Sequence, residues 1–283
     1  KRFETERQNN GGNMRAFFNG GGRVEKILDD LKEISGYIWE KGWGEKNAGN
    51  LSVDATDETV GEGAQWSEPE RFGDAEYPAL AGRVFVVTAS GRRFRDIAKD
   101  AASGVCVVRL TEDGRGIQTL RGAAEGNAPT SELKSHLKIH DFLRSSGALE
   151  KVVLHTHPTE LIALTHLAEY RGDKALNDAL WGAHPEVKVA APRGAGFVPY
   201  ETPGSESLAE ATLTAFKNRR QIALWDRHGS VCAAETVIDS FDVTDTINKA
   251  AKIILAVRAA GGEPIKLTKE QLDELVKSFG LKE

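Results

Sequence analysis

His155-Thr156-His157 and the distant His228 are the residues whose types and spacing most directly imply chemistry. A catalytic metal such as zinc needs three or four neutral imidazoles or anionic ligands at ~2.0–2.3 Å, with a coordination position left open. Side chains alternate faces along a strand, so His155 and His157 point the same way and can chelate one ion. They close the apolar run Lys151-Val-Val-Leu-His155, and α/β proteins hold ligands at the carboxyl ends of strands. On its own the pair is equally compatible with two unrelated histidines at a strand end. His228 follows a second apolar run, Gln221–Trp225, and precedes Gly229; an ordinary surface-turn histidine is the alternative there. His136 and His140 form a rival pair, four apart on a helix face. Both flank the stripe of Leu133, Leu137 and Phe142, which predicts packing at the helix flank. His166 and His184 have no partner at ligand spacing.

Three short segments could approach an anion: Asn47-Ala-Gly-Asn50, Thr88-Ala-Ser-Gly91 and Pro129-Thr-Ser-Glu132. Glycine lets the backbone come close, and free N–H groups in loops and at helix starts bind phosphate. None carries the lysine of a nucleotide-binding P-loop, and singly each reads as a turn or a cap. Glu132 falls in a first helical turn, where a carboxylate complements the helix dipole. Facing a metal instead, it is a general base for a proton next to a carbonyl.

The elements that must carry these groups follow from periodicity. Residues 1–22, ending Asn19-Gly20-Gly21-Gly22, read as a flexible tail, and residues 23–283 as a single α/β domain. Ile27, Leu28, Leu31, Ile34 and Ile38 recur at helical spacing from Val24 to about Lys41. Residues 55–80 are rich in Asp, Glu, Gly and Pro without a period, and read as a loop insertion. Strands are expected at Asn50–Asp54, Arg83–Thr88, Val105–Leu110, Gly116–Leu120, Lys151–His155, Val187–Ala190, Gln221–Trp225 and Gly229–Ala233. Helices are expected from Pro129 to about Leu143, Pro158 to Leu167, Ser205 to Phe216, and Val243 to Ala259. A last one follows the capping-box spacing of Thr268 and Gln271.

The bulk properties narrow the function. A net charge of −5 argues against a nucleic-acid partner, although a locally positive site could still take a phosphorylated small molecule. Hydrophobic content of 40% with 28% charged residues suits a soluble protein, and no apolar run is long enough for a membrane helix. The first residues lack the apolar stretch of a secretory signal. Cys106 and Cys232 both lie in apolar β-rich stretches and read as buried, free thiols, which fits a cytoplasmic location.

Together these pieces resemble the class II aldolase/adducin family. The resemblance rests on Lys41-Gly-Trp-Gly-Glu-Lys-Asn-Ala-Gly-Asn-Leu-Ser52, Thr88-Ala-Ser-Gly-Arg-Arg-Phe-Arg95, Pro129-Thr-Ser-Glu-Leu133, His155-Thr-His157 with Leu161-Ile-Ala-Leu164, Leu180-Trp181, and Leu224-Trp-Asp-Arg-His-Gly229. These span about residues 25–280 in family order. The resemblance implies a three-layer α/β/α fold around a mostly antiparallel sheet, and a homotetramer with its active site at a subunit interface. It implies Zn2+ on His155, His157 and His228, and Glu132 as the acid/base carboxylate. Asn47, Asn50, Ser90, Gly91 and Ser131 fall in the segments that hold the substrate's phosphate. Glu186 falls where a neighbouring subunit supplies a second carboxylate, although Gly182-Ala-His-Pro185 before it departs from the family pattern. The implied activity is reversible aldol cleavage of a phosphorylated ketose. The insertion at 55–80 and Leu180-Trp181 point to the rhamnulose branch; the fuculose-phosphate and pentulose-phosphate branches reuse the same histidines. A non-catalytic, adducin-like binding module has no need of His155, His157, His228 and Glu132 together.

Overall fold

The computed structural model describes residues 22–57, 64–122 and 126–282. The expected tail therefore lies outside the described residues except for Gly22, which begins the first helix. The chain forms two compact units, Lys1–Val153 with Glu235–Ile238, and Leu154–Ala234 with Asp239–Glu283.

In the first unit, helix α1 (Gly22–Glu40) buries Leu28, Leu31, Ile34 and Ile38 of the stripe its periodicity predicts, with Ile27 half-buried at its edge. It closes where Gly42 turns left-handed (φ 73°) and Trp43 N–H reaches back to the Ile38 carbonyl. This stop delivers the chain to the Asn47–Asn50 segment. Strands β1 (Asn50–Asp54), β2 (Glu70–Arg71), β3 (Val84–Thr88), β4 (Val105–Leu110) and β5 (Gly116–Thr119) follow in chain order. They lie in the order β2-β5-β4-β3-β1, every neighbouring pair antiparallel. β3, read Val-Phe-Val-Val-Thr, is buried along its whole length between β1 and β4, as suits a run of β-branched and aromatic residues. Phe72, Tyr77, Phe85, Leu110 and Leu137 share one core cluster. Helices α2 (Phe94–Ile97) and α3 (Leu133–Ser145) complete this unit.

Within 55–80, residues 58–63 lie outside the described residues, and part of the remainder is structured. β2 pairs with β5, Trp66 bridges Leu120, and Pro78–Leu80 forms a 3-10 turn. A two-residue strand is too short to show a period, so only its partner's edge reveals it.

β6 (Val152–Thr156) carries the chain into the second unit. There α4 (Thr159–Thr165), α5 (Asp173–Ala183), α6 (Pro185–Ala190), β7 (Ala195–Val198), α7 (Glu206–Lys217), β8 (Ile222–Trp225) and β9 (Gly229–Ala234) follow. α8 (Val237–Ala259) and α9 (Lys269–Phe279) close the chain. β7 runs parallel to β8, and β8 forms an antiparallel hairpin with β9. Leu161, Leu176, Leu180, Leu224 and Ile247 belong to its core.

Val187–Ala190, expected as a strand, is helical: it is the body of α6, whose φ is preset by Pro185 at its start. The strand of this region is Ala195–Val198, which the sequence hides behind two glycines. The Asn177 side chain meets both backbone groups of Ala195, accepting from its N–H and donating to its carbonyl, each at 2.7 Å. α8 begins six residues before the expected Val243. Thr268 and Gln271 form both hydrogen bonds of the capping box. Both cysteines are buried, and burial pushes the Cys106 thiol up to about 12, leaving it a protonated, inert hydrophobe.

His136 and His140 lie inside the first unit and face β1 rather than a metal. Ser52 Oγ is 2.8 Å from Nδ1 of His136 and 2.8 Å from Nε2 of His140. Burial draws the His140 pKa down from 6.5 to about 4, so it is neutral in the folded chain near neutral pH. The unfolded chain takes up this proton first, so stability is whole above pH 6.5 and lost as pH falls toward 4. The loss is on the order of 3 kcal/mol. Urea unfolding of metal-free protein should show a larger drop between pH 7.5 and 4.5 for the parent chain than for His140→Gln.

Candidate metal centre

His155 is the penultimate residue of β6, which ends at Thr156, and His157 follows before Pro158 takes the N-cap position of α4. The β8–β9 hairpin brings the third imidazole. Trp225 pairs with Gly229, and the tight loop between them carries His228, whose N–H reaches back to the Trp225 carbonyl. Arg227 in that loop holds a left-handed φ of 58°, unusual for a residue with a Cβ. Its backbone N–H is held by Thr165 Oγ1 at 2.9 Å. Next to it, buried Asp226 accepts a bidentate pair from Arg171 at 3.1 and 2.7 Å and further contacts from Arg227. These contacts secure the loop that presents His228.

Ligand nitrogens of His155, His157 and His228 all lie within 4.8 Å of one another, the one such group among the described residues. Nε2 of His155 and of His157 are 3.2 Å apart. Two nitrogens bound tetrahedrally to one zinc-sized ion stand about 3.3 Å apart for bonds of ~2.0–2.1 Å. The tautomer also fits. His155 Nδ1 lies 2.9 Å from the Ser230 carbonyl. A carbonyl only accepts, so Nδ1 carries the proton and Nε2 presents a bare lone pair. Burial first, then His157 and His228 beside it, hold the His155 pKa well below 6.5, keeping the ring in its neutral, ligating form. Trp225 backs two of the rings, with centroids 4.5 Å from His155 and 4.8 Å from His228, and its indole N–H is bound by Thr212 Oγ1 at 2.7 Å.

Gly229 makes this packing possible. A Cβ there would stand 2.5 Å from the Thr156 carbonyl, 2.9 Å from the His157 ring and 3.1 Å from the His155 ring.

In the first unit the three anion-type segments come together. Thr88 Oγ1 accepts from Leu51 N–H, Thr130 N–H donates to the Thr88 carbonyl, and Ser90 N–H donates to the Ala128 carbonyl. Asn47, Ser90, Gly91 and Ser131 are exposed, and Asn50 is buried. Glu132 stands at the N-cap of α3, yet its side chain makes no cap hydrogen bond. It accepts instead from Asn50 Nδ2 at 2.6 Å. Glu186 lies exposed in the first turn of α6 and is not one of the clustered ligand groups. Sequence reasoning missed Asp226, Arg171 and Ser230; Asp226 was visible only as part of Trp-Asp-Arg-His.

The class II aldolase and adducin N-terminal domain model matches residues 29–255, and so runs through both units. The chain belongs to the class II aldolase/adducin family. It is 35% identical over 261 residues to the rhamnulose-1-phosphate aldolase of Bacteroides thetaiotaomicron, covering 91% of this chain and 96% of that one. A rhamnulose-1-phosphate aldolase of Pectobacterium carotovorum is 35% identical over 248 residues, 86% of this chain and 90% of the other. Among solved structures, a sugar-phosphate aldolase from Thermotoga maritima superposes with a TM-score of 0.74 at 30% identity, over 86% of this chain and 99% of that one.

Gly229→Ala should drive a methyl group into the ligand cluster. Elemental analysis of the purified variant should find most of its metal gone while circular dichroism retains the parent spectrum.

Proposed function

We propose that this chain is a zinc-dependent aldolase that reversibly cleaves L-rhamnulose 1-phosphate to dihydroxyacetone phosphate and L-lactaldehyde. The observation that carries the reading is the three-histidine cluster with a fixed His155 tautomer, in a chain this similar to proteins bearing that name. Zinc on His155, His157 and His228 would supply Lewis-acid polarisation of the ketose carbonyl. The bond that breaks is C3–C4. The C4 hydroxyl loses its proton as the aldehyde forms, and C3 gains one. Glu132 delivers the proton to C3, and Glu186 of a neighbouring subunit assists proton loss at the aldehyde end. Asn47, Asn50, Ser90, Gly91 and Ser131 hold the phosphate, three of their segments being bonded side by side. Backbone N–H groups and hydroxyls suit a dianion on a chain of net negative charge.

The two units serve one catalytic domain of residues 23–283, assembled as a homotetramer in the cytoplasm. Among the described residues no helix is long and apolar enough to cross a membrane.

Assay of purified protein against L-rhamnulose 1-phosphate, L-fuculose 1-phosphate and L-ribulose 5-phosphate decides the substrate, with highest kcat/KM expected for the first. Faster turnover of either other sugar moves the chain to that branch. His155→Ala and His228→Ala should lose bound metal and cleavage together. Glu132→Gln should keep its metal and lose about 10²–10⁴ in kcat; near-parent turnover would remove Glu132 from the acid/base role.

A further inference from the structure

β1 and α3 meet along a line of polar side chains. Residues two apart share a strand face, so Asn50, Ser52 and Asp54 form one row. Glu132, His136 and His140, four apart, form the facing row on α3. A two-residue strand step of about 6.7 Å nearly matches a four-residue helix step of about 6 Å, so the rows stay in register. Asn50 Nδ2 donates to Glu132 Oε2 at 2.6 Å, and Ser52 Oγ serves both histidines at 2.8 Å. Asp54 ends the ladder by accepting from Arg83 Nε and Thr56 Oγ1.

The ladder has a direction. His140 Nδ1 is buried without a partner. A buried bare N–H is rarer and costlier than a buried bare lone pair, so His140 carries its proton on Nε2 and donates it to Ser52 Oγ. The single hydroxyl proton of Ser52 then goes to His136 Nδ1. At the other rung the Asn50 amino group points to Glu132 Oε2 and its Oδ1 points away, buried and unpartnered.

An apolar strand–helix contact would bury the same surface without desolvating polar groups. What directional bonds add is register: a one-residue slip of β1 would turn Asn50, Ser52 and Asp54 to the opposite face. We propose that Ser52, His136 and His140 are positioning residues that lock β1 against α3 and thereby hold Asn50 on the Glu132 carboxylate. The inference rests on Glu132 being the acid/base group.

The test uses the full metal-loaded chain cleaving L-rhamnulose 1-phosphate. Ser52→Ala should retain bound metal and keep KM within about twofold, while kcat falls about ten- to a hundredfold, the scale of an ångström misplacement. Ser52→Thr, which keeps the hydroxyl, should recover most of kcat. At saturating substrate, where the loss of the Asn50 phosphate contact is carried by KM, Asn50→Ala combined with Ser52→Ala should lose little more kcat than Asn50→Ala alone, because both act on Glu132 through one contact. Should Ser52→Ala fail to fold, the triple variant Ser52→Ala, His136→Leu, His140→Leu removes the Ser52 rung without leaving either imidazole facing a methyl group, and the same kcat loss is expected. Parent kcat in a folded ladder variant, or losses that multiply with Asn50→Ala, would overturn the proposal. Full activity of Glu132→Gln instead overturns the acid/base reading on which it rests.

Discussion

The hydrogen bond from His155 Nδ1 to the Ser230 carbonyl is the contact on which the candidate centre depends. It fixes the tautomer, and the tautomer decides whether Nε2 offers a lone pair or a proton to the space shared with His157 and His228. Ser230 sits next to Gly229 at the start of β9, where Leu224 pairs with Ser230 and Trp225 with Gly229. The hairpin register that places His228 therefore also chooses the protonation site of His155. A shift by one residue would move the carbonyl, the imidazole and the space left by the missing Cβ at once.

Such a hairpin has costs that its surroundings offset. Arg227 holds a left-handed backbone without being glycine, and Asp226 is buried with its charge. A lone buried carboxylate is strongly disfavoured unless paired and hydrogen-bonded. The bidentate guanidinium of Arg171 satisfies both oxygens of Asp226 and ties the loop to the end of the segment following α4. Thr165, at the end of α4 itself, takes the Arg227 N–H. The same helix begins just after His157, so the element that leaves the first two candidate ligands also braces the third.

Legibility in the sequence followed the reach of each interaction. β3, β4, β5, β8 and β9 were readable because β-branched runs and turn residues are local signals. α5, α6 and β7 were not: Val187-Lys-Val-Ala190 alternates apolar and charged residues as a strand would, and in β7 the buried backbone groups of Ala195 are satisfied by Asn177, eighteen residues away. At the site, His155 and His157 were legible as an alternating pair on a strand. Their supports were invisible, because Ser230 acts through its backbone and Arg171 reaches Asp226 across 55 positions. Glu132 was legible as a carboxylate in a helix's first turn, but not that its side chain forgoes the cap for Asn50, 82 positions away.

Two pairs of histidines show why spacing alone is an incomplete guide. His155 and His157 sit two apart at a strand end; His136 and His140 sit four apart on a helix, and each spacing can in principle chelate. What separates them is the chemistry of the group behind the ring. His155 is backed by a carbonyl, which can only accept, so its other nitrogen is unprotonated and aimed at the His157 ring. His136 and His140 both turn toward one hydroxyl, which gives a proton to one ring and takes a proton from the other, so the nitrogens facing that hydroxyl are already occupied. A backing group that only accepts leaves a ring nitrogen suited to a metal, whereas one that accepts and donates makes a structural link, and the same residue type serves the two units differently.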